Sequence, residues 1–173
     1  MICYLPDLLA RRIEDIPPSF FLSRSIRHVL CDLDNTLAPV DIAVPNEDIK
    51  RWCRKMEASG IAIYIASNNS SRRVRRFAEG LGVHWVGSLC KPFSFRLVRF
   101  CKNKGIGPEA VAFVGDQLFT DVPAAKKAGF LTILTEPISE KDSILTYFNR
   151  KREKKARQEI NERRLVPSWE EKQ

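Results

Sequence analysis

Short runs of apolar residues alternate along the chain with segments in which apolar residues recur every three or four positions. The continuous runs lie at residues 28–33, 61–66, 84–86, 110–114 and 130–134. Apolar runs of this length, without polar residues at alternate positions, are typical of strands covered on both faces of a sheet. They predict a central sheet of about five strands.

The segments between these runs have the periodicity of helices. Three of them contain apolar stripes at helical spacing, which are Ile49, Trp52, Cys53 and Met56; Val74, Phe77, Ala78 and Leu81; and Phe93, Leu97, Phe100 and Cys101. Ser70 and Ser71 are candidates for capping the second helix. Strands that alternate with helices favour a parallel sheet with right-handed crossovers. The expected fold is therefore of the α/β class, with three α/β/α layers in a Rossmann-like arrangement.

Polar side chains follow directly after the predicted strands. They are Asp32, Asp34 and Thr36 after the first strand, Ser67 and Asn68 after the second, Lys91 after the third, and Asp116 and Asp121 after the fourth. In parallel sheets of this kind, ligands bind outside the carboxyl ends of the strands. We therefore expect these side chains to meet at one edge of the sheet.

The residue types at this edge indicate phosphate chemistry with a hard metal ion. Asp32, Asp34 and Asp116 offer oxygen ligands, which suit Mg²⁺ together with a phosphate. Lys91 adds a positive charge suited to phosphate, and Ser67 precedes main-chain N–H groups that can hold phosphate oxygens. Neither a histidine nor a cysteine follows these strands as a nucleophile–base pair. A carboxylate is then the candidate nucleophile.

Each of these motifs alone is a weak signal. A DxDxT segment can be a capped turn, and a Gly-Asp pair or a Lys-Pro pair occurs in ordinary loops. The chain has four such segments in order, each after a predicted strand, and this combination is not expected by chance.

Taken together, the motifs resemble those of the haloacid dehalogenase (HAD) superfamily. They read DLDNT at residues 32–36, Ser67, Lys91 and GDQLFTD at residues 115–121. The closer resemblance is to subfamily IIIA phosphatases of the YqeG type, because YLPD, SNN, KP and FNR also match that group. The resemblance covers about residues 3–152. The same branch includes the mitochondrial phosphatidylglycerophosphate phosphatase.

The resemblance implies roles for the acidic residues. Asp32 would be the nucleophile that takes the phosphoryl group. Asp34 would act as the general acid and then as the base toward water. Mg²⁺ would be bound by Asp32, by the main-chain carbonyl of Asp34 and by Asp116.

It also implies roles for the other candidate residues. Ser67 and Lys91 would hold the phosphoryl oxygens, and both are expected to contribute to catalysis and to substrate binding. Asp121 would support Lys91 or the groups around the metal. Thr36 would steady the nucleophile loop, and Asn68 would add a contact to phosphate.

The spacing between motifs leaves no room for a cap domain over the site. Only 32 residues separate Asp34 from Ser67, and a helix and a strand use most of them. An open site of this C0 type admits large substrates, and a small one if oligomerisation supplies a lid. The resemblance implies phosphatidylglycerophosphate or a similar phospholipid headgroup. The alternatives are a small soluble phosphate ester, such as a sugar phosphate or nucleotide, and a noncatalytic module that binds RNA or protein.

The net charge is concentrated near the C-terminus. The chain has a formal charge of +8, and residues 149–164 contain eight basic and three acidic side chains. We expect one phosphatase domain over residues 1–148 and a basic helical tail over 149–173. The tail is either a solvated helix or a peripheral contact with an anionic membrane. The basic run 149–164 has no aromatic residues on which bases could stack, so nucleic acid is not favoured.

The N-terminal segment is expected to pack on the core rather than to anchor to lipid. It mixes apolar residues such as Phe20 and Phe21 with Arg11 and Arg12. It lacks the pattern of a secretory signal, and the five cysteines are widely spaced. These features favour a cytoplasmic protein, with a peripheral location at the inner face of a membrane as an extension. The sequence leaves the oligomeric state open.

Overall fold

The central element is a parallel sheet, and six of its strands lie in the described part of the chain. In chain order they are β1 (Leu8–Ala10), β2 (His28–Cys31), β3 (Ala62–Ala66), β4 (His84–Val86), β5 (Val111–Gly115) and β6 (Leu131–Thr135). Across the sheet they run β1-β6-β5-β2-β3-β4, and every neighbouring pair is parallel. The computed structural model describes residues 5–69, 72–139 and 147–172, with only the backbone for 147–151.

Helices cover both faces of the sheet. They are α1 (Pro18–Leu22), α2 (Glu47–Ala58), α3 (Arg72–Leu81), α4 (Phe95–Asn103), α5 (Asp121–Ala128) and α6 (Tyr147–Glu162), with 3₁₀ turns at Ile13–Asp15, Pro108–Ala110 and Glu170–Lys172. One apolar core joins the sheet to α1, α2 and α3. A second core joins the opposite face to α4 and α5. The three-layer Rossmann-like prediction is confirmed.

The strand that the sequence pattern missed is β1. It has only three residues and lies at the sheet edge, paired with β6 through Leu8 and Ile133. Asp7 precedes it and Arg11 follows it, so its apolar run is too short to be distinguished from a loop by periodicity. The sheet accordingly has six described strands where the pattern predicted about five.

The helix α2 forms as its sequence predicts. The side chain of Asn46 accepts a hydrogen bond of 2.9 Å from the N–H of Ile49, which caps the first turn. The four residues of its predicted stripe are all buried. The side chain of Trp52 also donates a 2.9 Å hydrogen bond to the carbonyl of Ile16, which ties the helix to the N-terminal segment.

One predicted stripe is wrong at its first member. Phe93 lies before α4, in a turn in which its N–H donates to the carbonyl of Cys90, and its ring is exposed. The helix begins only at Phe95, so its buried side is formed by Leu97 and Cys101. The capping predicted at Ser70 and Ser71 lies outside the described residues.

The two terminal segments pack against the body of the protein. Ile13, Phe20 and Phe21 are buried in the first core, as expected for the N-terminal segment. Ala156 and Ile160 of α6 are buried against a third apolar cluster that includes Leu134. The division into a domain ending at residue 148 and a tail stays a prediction. The sequence also predicts that the helix of this tail begins after Ser139, and residues 140–146 of that prediction lie outside those described.

Within the described residues, no cap domain is inserted between β2 and β3 or between β3 and β4. Between β2 and β3 the chain forms a loop and α2, and between β3 and β4 it forms α3. None of the described helices has the length and apolar character needed to cross a membrane.

Asp7, in the YLPD motif, joins β6 to the start of β1. Its carboxylate accepts hydrogen bonds of 2.8 Å from both the N–H and the hydroxyl of Thr132, and it pairs with Lys126. Burial would raise the pKa of Asp7, but the hydrogen bonds from Lys126 and Thr132 outweigh burial and lower it below the ordinary value of 3.8. The ionised carboxylate therefore stabilises the folded protein.

We expect Asp7→Asn to lower the free energy of unfolding by about 1 kcal/mol at pH 7, because the charge opposite Lys126 is lost. A carboxyl with a lowered folded pKa stabilises above its unfolded pKa and loses this effect as the pH falls through the folded value. The gap between wild type and variant, measured by urea unfolding, should therefore be constant above about pH 5 and close near pH 3. A gap that does not change down to pH 3 would contradict the assignment, and Asp48→Asn on the exposed side of α2 is the control.

Candidate active site

The carboxyl ends of the central strands bring the predicted site residues together. Asp32 directly follows β2, Ser67 follows β3 and Asp116 follows β5. Asp121 begins α5, and Lys91 lies in the loop between β4 and α4. All five side chains are buried, so the charged groups here interact with one another more strongly than they would in water.

Lys91 lies between two of the carboxylates. Its Nζ is 2.6 Å from Oδ1 of Asp32 and 2.8 Å from Oδ1 of Asp121, and it donates a third contact of 3.0 Å to the carbonyl of Ala66. Burial would lower the pKa of Lys91, but Asp121 and Asp32 raise it above its ordinary value. The side chain is therefore an ammonium ion held at a fixed point beside Asp32.

The acidic cluster has the composition of a site for a hard cation. Asp32, Asp116 and Asp121 each offer an oxygen, and the three oxygens lie within 4.8 Å of one another. Three carboxylates that lie this close in a buried site repel one another. A divalent cation with oxygen ligands relieves that repulsion, so the residues present fit Mg²⁺.

The buried surroundings of Asp32 shift its pKa toward neutral pH. Burial raises the pKa of Asp32 to about 7, against the opposing effect of Lys91 and with a further rise from Asp121. The neighbouring Cys31 is fully buried, and burial raises the pKa of its thiol well above the ordinary value. Asp32 is therefore better suited than Cys31 to act as a nucleophile here.

Gly115 gives Asp121 the room it needs. A Cβ atom placed on Gly115 would lie 2.2 Å from Oδ2 of Asp121, which is too close for any side chain. That oxygen accepts a hydrogen bond of 3.0 Å from the N–H of Gln117. The glycine of the GDQLFTD motif thus allows Asp121 to turn back toward Lys91.

Asp34 lies apart from this cluster. Its carboxylate pairs with Arg73 near the start of α3, and both side chains are only partly exposed. Arg73 also donates hydrogen bonds of 2.9 Å to the carbonyl of Ile42 and 2.8 Å to that of Pro39. The arginine therefore joins Asp34 to the loop that precedes α2, and the negative charge of Asp34 is balanced separately.

The remaining predicted residues line the same edge. The hydroxyl of Thr36 lies 3.4 Å from Oδ1 of Asp116, and Oγ of Ser67 accepts a 3.0 Å hydrogen bond from the N–H of Asn69. The side chain of Asn68 makes two hydrogen bonds with the backbone of Lys91, of 2.7 and 3.0 Å. Asn68 thus fixes the Lys91 segment, and its contact with phosphate stays a prediction.

The sequence model of the haloacid dehalogenase-like hydrolase family matches residues 23–129. This range is more than half of the chain and contains all the site residues described above. The chain belongs to the haloacid dehalogenase-like hydrolases. It is also 33% identical to the "Probable phosphatase YqeG" of Bacillus subtilis, over 97% of each chain. Within the HAD-like hydrolases it is therefore a phosphatase of the YqeG type, as its sequence motifs indicated.

Other relatives agree with this placement. The chain is 25% identical to "Phosphatidylglycerophosphate phosphatase 1, chloroplastic/mitochondrial" of Arabidopsis thaliana, over 78% of this chain and 41% of that protein. The structure of a 3-deoxy-D-manno-octulosonate 8-phosphate phosphatase from Moraxella catarrhalis superposes with a TM-score of 0.54 at 24% identity, over 69% of this chain and 74% of that one. The structure of a putative HAD subfamily III A hydrolase from Legionella pneumophila superposes with a TM-score of 0.53 at 17% identity, over 71% of this chain and 72% of that one. Both structures share the fold.

Two features of this HAD-like site had no signal in the sequence. Arg73 belongs to a group of four arginines at residues 72–76, and nothing in its spacing singled it out as the partner of Asp34. The second feature is α6, from which Arg157 donates a hydrogen bond to the carbonyl of Asp116. Glu153 of the same helix accepts one of 3.2 Å from the N–H of Phe119. The basic C-terminal helix therefore supports the loop that carries Asp116.

Proposed function

We propose that the protein is a Mg²⁺-dependent phosphomonoester hydrolase that works through an aspartyl-phosphate on phosphatidylglycerophosphate or a similar phospholipid headgroup. The observation that carries this proposal is the buried Asp32–Lys91–Asp121 arrangement, with Asp116 beside it. It combines a carboxylate nucleophile, a fixed ammonium for the phosphoryl oxygens and a cluster of three carboxylate oxygens within 4.8 Å of one another.

Asp32 attacks phosphorus through a carboxylate oxygen. A bond forms between this oxygen and phosphorus while the bond from phosphorus to the leaving oxygen breaks. Asp34 in its protonated form gives its proton to that leaving oxygen, and as the carboxylate that pairs with Arg73 it then takes one from water. The water oxygen bonds to phosphorus, the bond from Asp32 to phosphorus breaks, and phosphate leaves with Asp32 restored.

The surrounding residues hold the reacting groups. Asp32, the main-chain carbonyl of Asp34 and Asp116 would hold Mg²⁺, whose positive charge lets an anionic nucleophile approach an anionic phosphate. Ser67 and Lys91 bind the phosphoryl oxygens as their charge shifts in the transition state. Asp121 keeps Lys91 in position, Thr36 steadies the Asp116 carboxylate, and Asn68 holds the Lys91 backbone.

A lipid headgroup is proposed on two grounds. The site has no cap within the described residues, so a substrate embedded in a larger assembly can reach it. The printed name of the Arabidopsis relative is that of a phosphatidylglycerophosphate phosphatase, which supports the same substrate class here. Contact of the basic segment 149–164 with an anionic membrane, which the sequence predicted, is the alternative to contact through the active-site edge.

The test is a panel of phosphate esters assayed for phosphate release with Mg²⁺ and with EDTA. The panel contains phosphatidylglycerophosphate in detergent micelles, a sugar phosphate, a nucleotide and a phosphopeptide. We expect Mg²⁺-dependent turnover of the lipid at a kcat/KM at least ~10-fold above that of the soluble esters. Faster turnover of a soluble ester would show that the substrate is a soluble ester and not a lipid. No turnover of any ester would overturn the proposed function.

A further inference from the structure

Three large apolar side chains are exposed beside the active site. Phe93, Phe95 and Val98, which we call the Phe93 patch, have 62%, 56% and 44% of their surface accessible to solvent. They lie outside the buried stripe of α4, which Leu97 and Cys101 form, so the core does not account for them. Exposed apolar residues that cluster in this way mark a surface for a partner.

The patch is held in a defined arrangement. The ring centroids of Phe93 and Phe95 are 6.5 Å apart, and the guanidinium carbon of Arg96 lies 5.7 Å from the centroid of Phe95. Arg96 also donates a hydrogen bond to the carbonyl of Ser88. The side chains therefore form a structured surface rather than a set of independent rotamers.

The patch borders the entrance to the active site. Phe93 is two residues after Lys91, and its N–H closes a turn with Cys90. A second pair of exposed apolar residues, Ile42 and Val44, lies in the loop that Arg73 ties to Asp34. Apolar groups thus border the site on both the Lys91 side and the Asp34 side.

The charge around the patch has a single sign. Residues 80–108 contain no Asp or Glu, and Arg96 and Arg99 in the first half of α4 are exposed, whereas Lys104 lies at the far end of the helix over the Tyr64 ring. Arg72, Arg75 and Arg76 of α3 are exposed as well. A surface that is apolar in the middle and cationic around it is complementary to a bilayer with anionic headgroups.

Other partners fit this surface less well. The Phe93 and Phe95 rings are tilted by 47° to each other, so they do not form a continuous platform on which successive bases stack. Val98, Ile42 and Val44 offer nothing to a base but can enter an acyl layer. A second copy of the chain would bring two cationic surfaces face to face, which is unfavourable.

We propose that the Phe93 patch and the exposed cations of α4 dock the active-site edge onto an anionic phospholipid bilayer. The apolar side chains enter the acyl boundary while the cations contact lipid phosphates. The further statement that this delivers a phosphorylated headgroup to Lys91 and Asp32 rests on the proposed function. The binding surface itself does not depend on turnover.

The experiment measures cosedimentation of the full chain with vesicles of phosphatidylcholine alone or with about a third of phosphatidylglycerol. We expect binding only to the anionic vesicles, weakened at least ~10-fold in the double variant Phe93→Ser/Phe95→Ser and to a similar extent in Arg96→Gln/Arg99→Gln. The matched controls are Leu165→Ser, which removes an exposed apolar residue elsewhere, and Lys154→Gln/Lys155→Gln on α6, each expected to change binding less than ~3-fold.

Several results would overturn the proposal. They are the absence of vesicle binding by wild type, a loss of binding in the α6 variant but not in the Phe93 patch variant, or an oligomer that dissociates in the patch variant. Weaker binding of a single-stranded oligonucleotide in the patch variant with vesicle binding unchanged would instead assign the surface to nucleic acid. Unchanged circular dichroism and thermal unfolding establish that each variant is folded.

The two proposals can fail separately. Hydrolysis of the micellar lipid without vesicle binding would support the proposed function and contradict the docking proposal. Vesicle binding through the patch without hydrolysis of any phosphorylated lipid would support the docking proposal and contradict the proposed lipid substrate. The patch variants should retain turnover of a soluble ester within ~2-fold, because they leave the buried carboxylates and Lys91 untouched.

Discussion

Replacing Asp32 with Asn is expected to lower the rate of phosphate release by ~10⁴-fold or more while the protein stays folded. The amide has the shape of the carboxylate but cannot form the bond to phosphorus. Its oxygen can still accept the hydrogen bond from Nζ of Lys91, which now lies 2.6 Å from Oδ1. Because burial already raises the pKa of Asp32 to about 7, removing its charge should change the unfolding free energy by only about 1 kcal/mol.

The measurement combines a phosphate-release assay with urea unfolding on the same preparations. Asp48→Asn, an exposed carboxylate on α2, is the matched control and should keep both activity and stability. Retention of more than about one hundredth of the wild-type rate by Asp32→Asn would contradict a covalent step at this residue. An unfolded variant is distinguished from an inactive one by the unfolding curve.

The sequence located the site because its chemistry follows the strands. Most candidate side chains come shortly after a continuous apolar run or begin the next helix, Lys91 lies in the loop after β4, and parallel strands bring their carboxyl ends to one edge. Asp32, Ser67, Asp116 and Lys91 therefore meet although up to 84 positions separate them along the chain. The pattern of apolar runs therefore predicts where the site lies, without any information about side-chain contacts.

The contacts within the site could not be predicted in the same way. Arg73 and Asp34 are 39 positions apart, and which of four neighbouring arginines turns inward depends on how α3 sits against the loop before α2. The support that Arg157 gives to the Asp116 carbonyl depends likewise on the packing of Ala156 and Ile160. Charge pattern alone described that helix as a basic tail.

Phe93 illustrates the opposite case, in which a pattern misleads. It stands at helical spacing before Leu97, and an apolar residue at that position is usually part of the core. The structure begins the helix two residues later, so the same ring is turned to solvent. A residue that breaks the expected pattern is the kind that binds a partner, which is why the docking proposal starts from it.

The second large effect is expected when Lys91 is replaced with Met. The ammonium contacts Asp32 and Asp121, and its loss leaves these two buried carboxyl groups without the positive charge that they share. Removing one partner of a buried pair costs about 3–5 kcal/mol of unfolding free energy. Urea unfolding in EDTA measures this, and Lys102→Met, an exposed lysine of α4, is the control that should change stability by less than about 0.5 kcal/mol.

A second substitution shows whether the cost comes from the unpaired charge. Combining Lys91→Met with Asp121→Asn removes one repelling carboxylate, while the amide oxygen can still accept the hydrogen bond from Gln117. The double variant should therefore be more stable than Lys91→Met, with a coupling energy of about 1–3 kcal/mol. It should remain inactive, because no ammonium is left to hold the phosphoryl oxygens. Equal stability of the two variants would mean that Lys91 contributes by packing, and recovered activity would remove it from the proposed mechanism.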